Sequence, residues 1–431
     1  DSTDPYEIMA YLLQRNEGIR KYPSVIPLMY RVIHWITSPY AKLTGLCNLL
    51  EVAIRAENPA CVDKIFPDIC AGIPDLTAES EKALIFADLA TIYSQTNSKI
   101  AADCIQRSIR LLDGVEYTKA ELVRRQIVVA LVSLNATDPQ KEWLDLAFSV
   151  SQKIEDPVEY IHALIPVYGI VRDYKDRCSE LLQNMVEAAD RIPTPYLKVT
   201  TLLDIVPLAL RDCKDDKIPV TMLKNAAQLT KKINIPSIAD RLRDSIVQTY
   251  SMLFEHRKEE KFRDAAITVA RTITDDAKRL ARLEQLGVTE TLPTTPQYGK
   301  ITAMSDKILK EGVHPNQIAV LERQVKAVSD RGKESLLFCD LAVLFKNAGE
   351  EKLSRRMIQN AVNEARIIRP LSRRSFIMCD IALKLYTSGC EQAAQDILDY
   401  AIDAATNIRQ PSLRDEVFDE LGLAIKIMQE I

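Results

Sequence analysis

The residues of this chain whose type and spacing could do chemistry are four aspartates that recur inside apolar stretches, Asp88, Asp204, Asp340 and Asp380, with Glu420 in the corresponding place near the C-terminal end. Asp88 follows Phe86 and precedes Leu89; Asp340 follows Phe338 and precedes Leu341. A carboxylate in such company must be paired or must face a crevice, because an unpaired buried charge is prohibitively costly. Alone in a deep pocket it would serve as a general acid or base; paired, it would fix structure or meet a partner. Six residues earlier most copies carry a cation: Lys42, Lys82, Lys198, Arg374 and Arg414. Six residues turn a helix through about 240°, so the two charges do not share a face of one helix. Pairing between neighbouring segments is the expectation. Two readings stay open, an acid/base ladder that fixes the register of stacked segments and a stripe of alternating charge that binds a partner peptide.

Other chemistry finds no purchase. Gly299-Lys300 has Thr294 where a phosphate loop needs glycine and Ile301 where it needs Ser or Thr. His34, His162, His256 and His314 are far apart and fall in no metal-ligand spacing, so each is expected as a packed or surface imidazole. The acidic run Asp212–Asp216 lacks the glycine and closing glutamate of a calcium loop. Arg124-Arg125, Arg355-Arg356 and Arg373-Arg374 are diluted by nearby acids and lack interleaved aromatics. No catalytic, cofactor-binding or metal residue is therefore assigned, no cofactor is expected, and the chain reads as a non-enzyme.

The elements that must hold the carboxylates repeat along the chain. Phe338-Cys339-Asp340-Leu341-Ala342 matches Met378-Cys379-Asp380-Ile381-Ala382, and the same offset carries Gly349 to Gly389, Ala361 to Ala401, Ala365 to Ala405 and Ile368 to Ile408. Weaker copies surround Asn48, Asp88, Val129, Pro166, Asp204, Gln248 and Glu420, giving about ten units of roughly 40 residues. Apolar residues recur at three- and four-residue intervals, so each unit predicts two helices and no strand. Proline opens helices at Ser38-Pro39, Asp156-Pro157, Thr194-Pro195, Ile235-Pro236, Arg369-Pro370 and Gln410-Pro411. Gly349, Gly389 and Asn97 are expected in the turns between paired helices, where a left-handed residue ends the first helix. The first helix of each unit is apolar nearly all round and needs neighbours on several sides, which only stacked units supply.

The expected fold is all-α, a right-handed α-solenoid of about ten two-helix repeats. Thr- and Pro-rich residues 289–300 predict a non-helical loop or hinge between an N-terminal array, 1–288, and a C-terminal array, 301–431. These hairpins resemble the tetratricopeptide-like and HEAT-like superfamily of helical repeats, through the Leu-Ala pairs, the glycine turn and a second helix ending Ala-x-x-x-Ala-x-x-Ile. The period near 40 and the lack of an early Trp-x-x-Leu-Gly signature depart from true tetratricopeptides. The resemblance implies a protein- or peptide-binding scaffold or adaptor that uses a concave surface; an enzyme or a nucleic-acid-binding protein with a site in the solenoid groove is the alternative.

Composition narrows the partner. The 431 residues carry 56 Lys and Arg against 60 Asp and Glu, a net charge of −4, without the basic excess that a phosphate backbone demands. A protein or peptide is the expected partner, and neither nucleic acid nor a membrane is. Nine scattered cysteines without a Cys-x-x-Cys pair read as reduced small hydrophobes, and Asp1–Pro5 has no signal-peptide character, so a cytoplasmic setting is expected.

Overall fold

Proline at helix starts and left-handed residues at helix ends cut this chain into short, closely spaced helices. The computed structural model describes residues 25–115, 117–171, 175–212, 217–288 and 315–430. The expected hinge at 289–300, Cys213 and His314 lie outside the described residues. Among the described residues there are twenty α-helices and no strand. The chain divides into two compact units, Asp1–Ile218 and Pro219–Ile431.

In the first unit, α1 (Val25–Ile33) precedes the hairpins α2 (Pro39–Arg55) with α3 (Pro59–Gly72), α4 (Glu79–Tyr93) with α5 (Ser98–Leu111), α6 (Tyr117–Thr137) with α7 (Lys141–Ser151), and α8 (Pro157–Val171) with α9 (Lys175–Asp190). A further first helix, α10 (Pro195–Asp212), follows. The first helices pack in series, α2 on α4, α4 on α6, α6 on α8 and α8 on α10, while α5 and α9 also touch the first helix of the next hairpin. That is the stacking the apolar first helices require.

Helix α11 (Lys217–Leu229) leads into the second unit, which holds α12 (Pro236–Arg257), α13 (Glu260–Ala270), α14 (Asp276–Gln285), α15 (Pro315–Lys326), α16 (Arg331–Asn347), α17 (Glu351–Arg366), α18 (Leu371–Thr387), α19 (Glu391–Thr406) and α20 (Pro411–Glu430). The pairs α12/α13, α16/α17 and α18/α19 form hairpins, and α16, α18 and α20 stack in order. Burial follows the sequence pattern. In α18 the core takes Phe376, Met378, Cys379, Asp380, Ile381, Ala382 and Leu385, residues from all round the helix, whereas α17 buries one stripe, Ser354, Met357, Ala361, Val362 and Ala365. Each unit is a stack of helical hairpins, so the fold class is an all-α solenoid.

The two compact units meet in sequence at 218/219, and α12 packs on α18, which ties residues near 240 to the C-terminal helices. One detail differs from expectation: Asn97 is not a left-handed helix stop. With φ −152° it is the N-cap of α5, its side chain accepting from the Ile100 N–H, since a short amide serves a helix start better than a helix end.

Gly349 and Gly389 do hold positive φ, 79° and 73°, and their N–H groups close onto the Lys346 and Tyr386 carbonyls. A Cβ at Gly349 would meet nothing within 4 Å, so Gly349→Ala isolates the backbone cost. The expected loss is about 1 kcal/mol, read as a lower midpoint in urea. A midpoint equal to wild type would refute the strain argument.

Candidate functional site

Each recurrent aspartate is the tenth residue of a first helix and meets another first helix rather than its own hairpin partner. Asp88 on α4 accepts from Gln126 Nε2 on α6 at 2.9 Å. Burial pushes the half-buried Asp88 carboxyl up to about 6; the Gln126 bond opposes this and the Glu51 charge adds to it. Exposed Asp204 on α10 lies 3.7 Å from His162 Nε2 on α8. Asp340 on α16 pairs with Lys384 Nζ on α18 at 2.7 Å. Arg125 on α6 to Glu159 on α8, at 3.1 Å, is a further rung of the same kind.

Asp380 and Glu420 behave differently. Asp380 is 1 % exposed, and its Oδ1 accepts the Ser237 N–H at the start of α12 at 3.0 Å. Its Oδ2 is buried without a hydrogen-bond partner. Burial raises the Asp380 carboxyl above the ordinary range, against the pull of Lys384 and Ser237. Glu420 on α20 accepts from the Asn234 N–H at 3.1 Å and from the Asn234 side-chain amide at 2.7 Å.

The cations expected as partners do not meet these acids. Lys82 pairs with Glu79 in its own helix at 2.9 Å. Lys198 reaches Asp190 at the end of α9, through the carboxylate at 2.9 Å and the carbonyl at 3.3 Å. Arg374 donates to the Ile368 carbonyl just past α17 at 3.2 Å. Arg414 stands 3.9 Å from Asp415, and Lys42 is half-buried in the first turn of α2. Lys198 and Arg374 face the end of the preceding second helix, where free carbonyls and the negative end of the helix dipole attract them. The expected pairing of these cations with the recurrent acids of neighbouring units is replaced by these contacts for Lys198 and Arg374, and by contacts within their own helices for Lys82 and Arg414.

Three strongly held acids escaped the sequence reading. Asp240 on α12, 3 % exposed, binds Arg243 Nη1 at 2.8 Å and accepts from Thr274 N–H at 2.9 Å, Thr274 Oγ1 at 2.6 Å and Asp275 N–H at 2.8 Å. Glu121 on α6, also buried, accepts from Glu155 N–H at 2.7 Å and Asp156 N–H at 3.3 Å, ahead of α8, and pairs with Arg124 at 2.5 Å. Asp330 binds Arg373 at 2.7 Å. Acids roughly 34 residues before a helix start would have signalled the first two, but they fall outside the repeated Asp-Leu-Ala core.

Two concavities lie elsewhere. A pocket of about 300 Å³ is lined by Phe66, Cys70, Phe86, Lys99, Cys104 and Arg107, and one of about 750 Å³ by Gln152, Glu155, Tyr160, Asn184, Glu187 and Arg191 among others. None of the recurrent acids lines either. Among the described residues no group of three metal-ligating side chains gathers, and no helix is long and apolar enough to cross a membrane.

Stacked hairpins of this kind define the class, an all-α helical-hairpin repeat protein. No protein-family model matches the chain, and no curated protein matches it. Solved structures with similarity include Ton1535 from Thermococcus onnurineus NA1, at 14 % identity over 97 % of this chain and 99 % of that one, with a TM-score of 0.30. A circular tandem repeat protein shares 16 % identity over 98 % and 89 %, TM-score 0.20. The APC/C hetero-tetramer Cut9-Hcn1 shares 13 % over 98 % and 96 %, TM-score 0.17. Similarity this slight carries no argument about what the chain binds.

Proposed function

We propose that this protein is a non-enzymatic scaffold that binds another protein or peptide along the exposed row of its first helices, the concave surface expected of such an array. The observation that supports this reading is the row itself. Polar rungs such as Asp88 with Gln126, His162 with Asp204, and Asp340 with Lys384 recur on successive first helices within a unit. Such rungs offer directional contacts at regular spacing to an extended ligand. Acid or base catalysis would want a carboxylate enclosed with substrate, and the pockets above are lined by other residues. A cytoplasmic setting fits Cys47, Cys104, Cys339 and Cys379, which are buried as free thiols.

The test is chemical crosslinking of the full chain in extract of its native cells, beside the exposed-row variants Asp204→Lys and Asp340→Lys. A protein recovered in near-stoichiometric amount by wild type and reduced at least tenfold by either variant is the expected result. A partner retained equally by both variants, or none recovered by wild type at low salt, would overturn the proposal.

A further inference from the structure

The pocket of about 300 Å³ in the first unit lies between α3, α4 and α5 and shares no residue with the polar rungs. Its floor starts from the repeat itself. Phe86 stands two residues before Asp88, where Phe338 and Met378 precede Asp340 and Asp380. Those two are 0 % and 1 % exposed, whereas Phe86 is half-buried, so α4 leaves partly uncovered a position that its counterparts bury. Phe66 on α3 forms a second aromatic wall, held edge-on against Tyr93 at 5.1 Å between ring centroids. Leu89 and Ile100 complete the apolar lining. The volume is at the lower end of small-molecule sites, roughly 300–1,000 Å³, which suits a ligand of one or two rings.

Charge enters from one helix face. Lys99, Asp103 and Arg107 are spaced four apart on α5, and all line the cavity. Arg107 Nε binds Asp103 Oδ2 at 2.8 Å, with the guanidinium carbon 5.6 Å from the Phe86 ring centroid. Asp103 is the one carboxylate among the described lining residues, and Arg107 takes it. Lys99 is exposed and makes no ion pair or hydrogen bond among the described residues. Apolar walls with a surplus cation at the rim fit an apolar anion, since the walls take the ring and the ammonium takes the charge.

Two thiols line the same space, Cys70 and Cys104. Burial pushes Cys104 up to about 12 and raises Cys70 against the pull of Arg107. Both stay protonated near neutral pH, so no thiolate is on offer and the cavity binds rather than reacts.

We propose that this cavity is a binding site for a small aromatic carboxylate, its ring against Phe66 and Phe86 and its carboxylate on Lys99. The site goes beyond the scaffold reading and does not depend on it, because the row of first helices takes no part.

The probe is naphthoate, whose fluorescence reports binding to the full chain, beside naphthylmethylamine, which carries the same rings and the opposite charge. Naphthoate is expected to bind at least tenfold more tightly than the amine. Exposed Cys70 gives a second readout: bound naphthoate should slow its alkylation by N-ethylmaleimide at least fivefold, while Cys61, on α3 but outside the cavity, reacts at an unchanged rate. Lys99→Glu reverses a charge without a native partner, so the fold is kept, and should weaken naphthoate binding at least tenfold. Cys70→Phe, which fills the cavity, should abolish it. No naphthoate binding by wild type at millimolar concentration, equal binding of the amine, protection of Cys61 equal to that of Cys70, or an affinity unchanged in Lys99→Glu would overturn the proposal.

Discussion

Asp240→Ala is expected to lower the stability of the second unit by about 3–5 kcal/mol, the range for breaking a buried ion pair from one side. The carboxylate is 3 % exposed and its partner Arg243 8 %, so its removal strands a cation with little access to water. Arg243 would keep only longer bonds to Thr230, to Oγ1 at 3.3 Å and to the carbonyl at 3.4 Å. The Thr274 and Asp275 N–H groups and the Thr274 hydroxyl would lose their acceptor in the same step. Asp240→Asn keeps one acceptor oxygen and should lose less. Urea denaturation of both variants beside the exposed control Asp399→Ala measures the difference. A loss below about 1 kcal/mol for the alanine variant would show that water or Glu/Asp neighbours replace the carboxylate, contrary to its burial.

Asp88 should make stability depend on pH in the direction opposite to a salt-bridged acid. Its carboxyl rises on folding from 3.8 to about 6, chiefly through burial. The native chain therefore binds this proton more tightly than the unfolded chain does. Its contribution is most favourable below pH 4 and is lost as pH rises through 6. The unscreened difference is about 3 kcal/mol at about 1.4 kcal/mol per unit of pKa; the site is only half-buried, and solvent screening reduces the expectation to about 1–2 kcal/mol. Asp88→Asn keeps a polar group beside Gln126 without the charge. Its stability relative to wild type is expected to be greatest at pH 7–8 and to vanish near pH 4. Denaturation of both chains at pH 4, 6 and 8 checks this, because the titration of all other groups cancels in the difference. A difference that is flat with pH would place Asp88 in contact with bulk water.

Helix pairing, the matching units at 331–366 and 371–406, and the contrast between all-round and one-sided burial were legible because hydrophobic periodicity is local. The Gly349 and Gly389 stops were legible for the same reason, since a backbone that turns left-handed favours glycine wherever it occurs. Asn97 misled because one residue type suits both a helix stop and a helix start, and only backbone geometry separates them.

The acids were visible as a periodic set, but their partners were not. Lys82, Lys198, Arg374 and Arg414 before them were expected to meet acids of neighbouring segments, yet Lys198 and Arg374 find the carbonyl end of the previous helix nearer. Lys384 and Gln126 meet Asp340 and Asp88 because first helices lie side by side, a relation between segments some forty residues apart.

The amino-acid sequence by itself determined the all-α hairpin repeat and which faces are buried, since those depend on residues within one or two helical turns. Tertiary structure alone decided that Asp380 and Glu420 hold the start of α12 while Asp340 holds a lysine, three acids at the same repeat position with different fates. The physical reason is that a buried carboxylate takes whichever donor the fold brings within about 3 Å, and here that donor comes from a helix more than a hundred residues away.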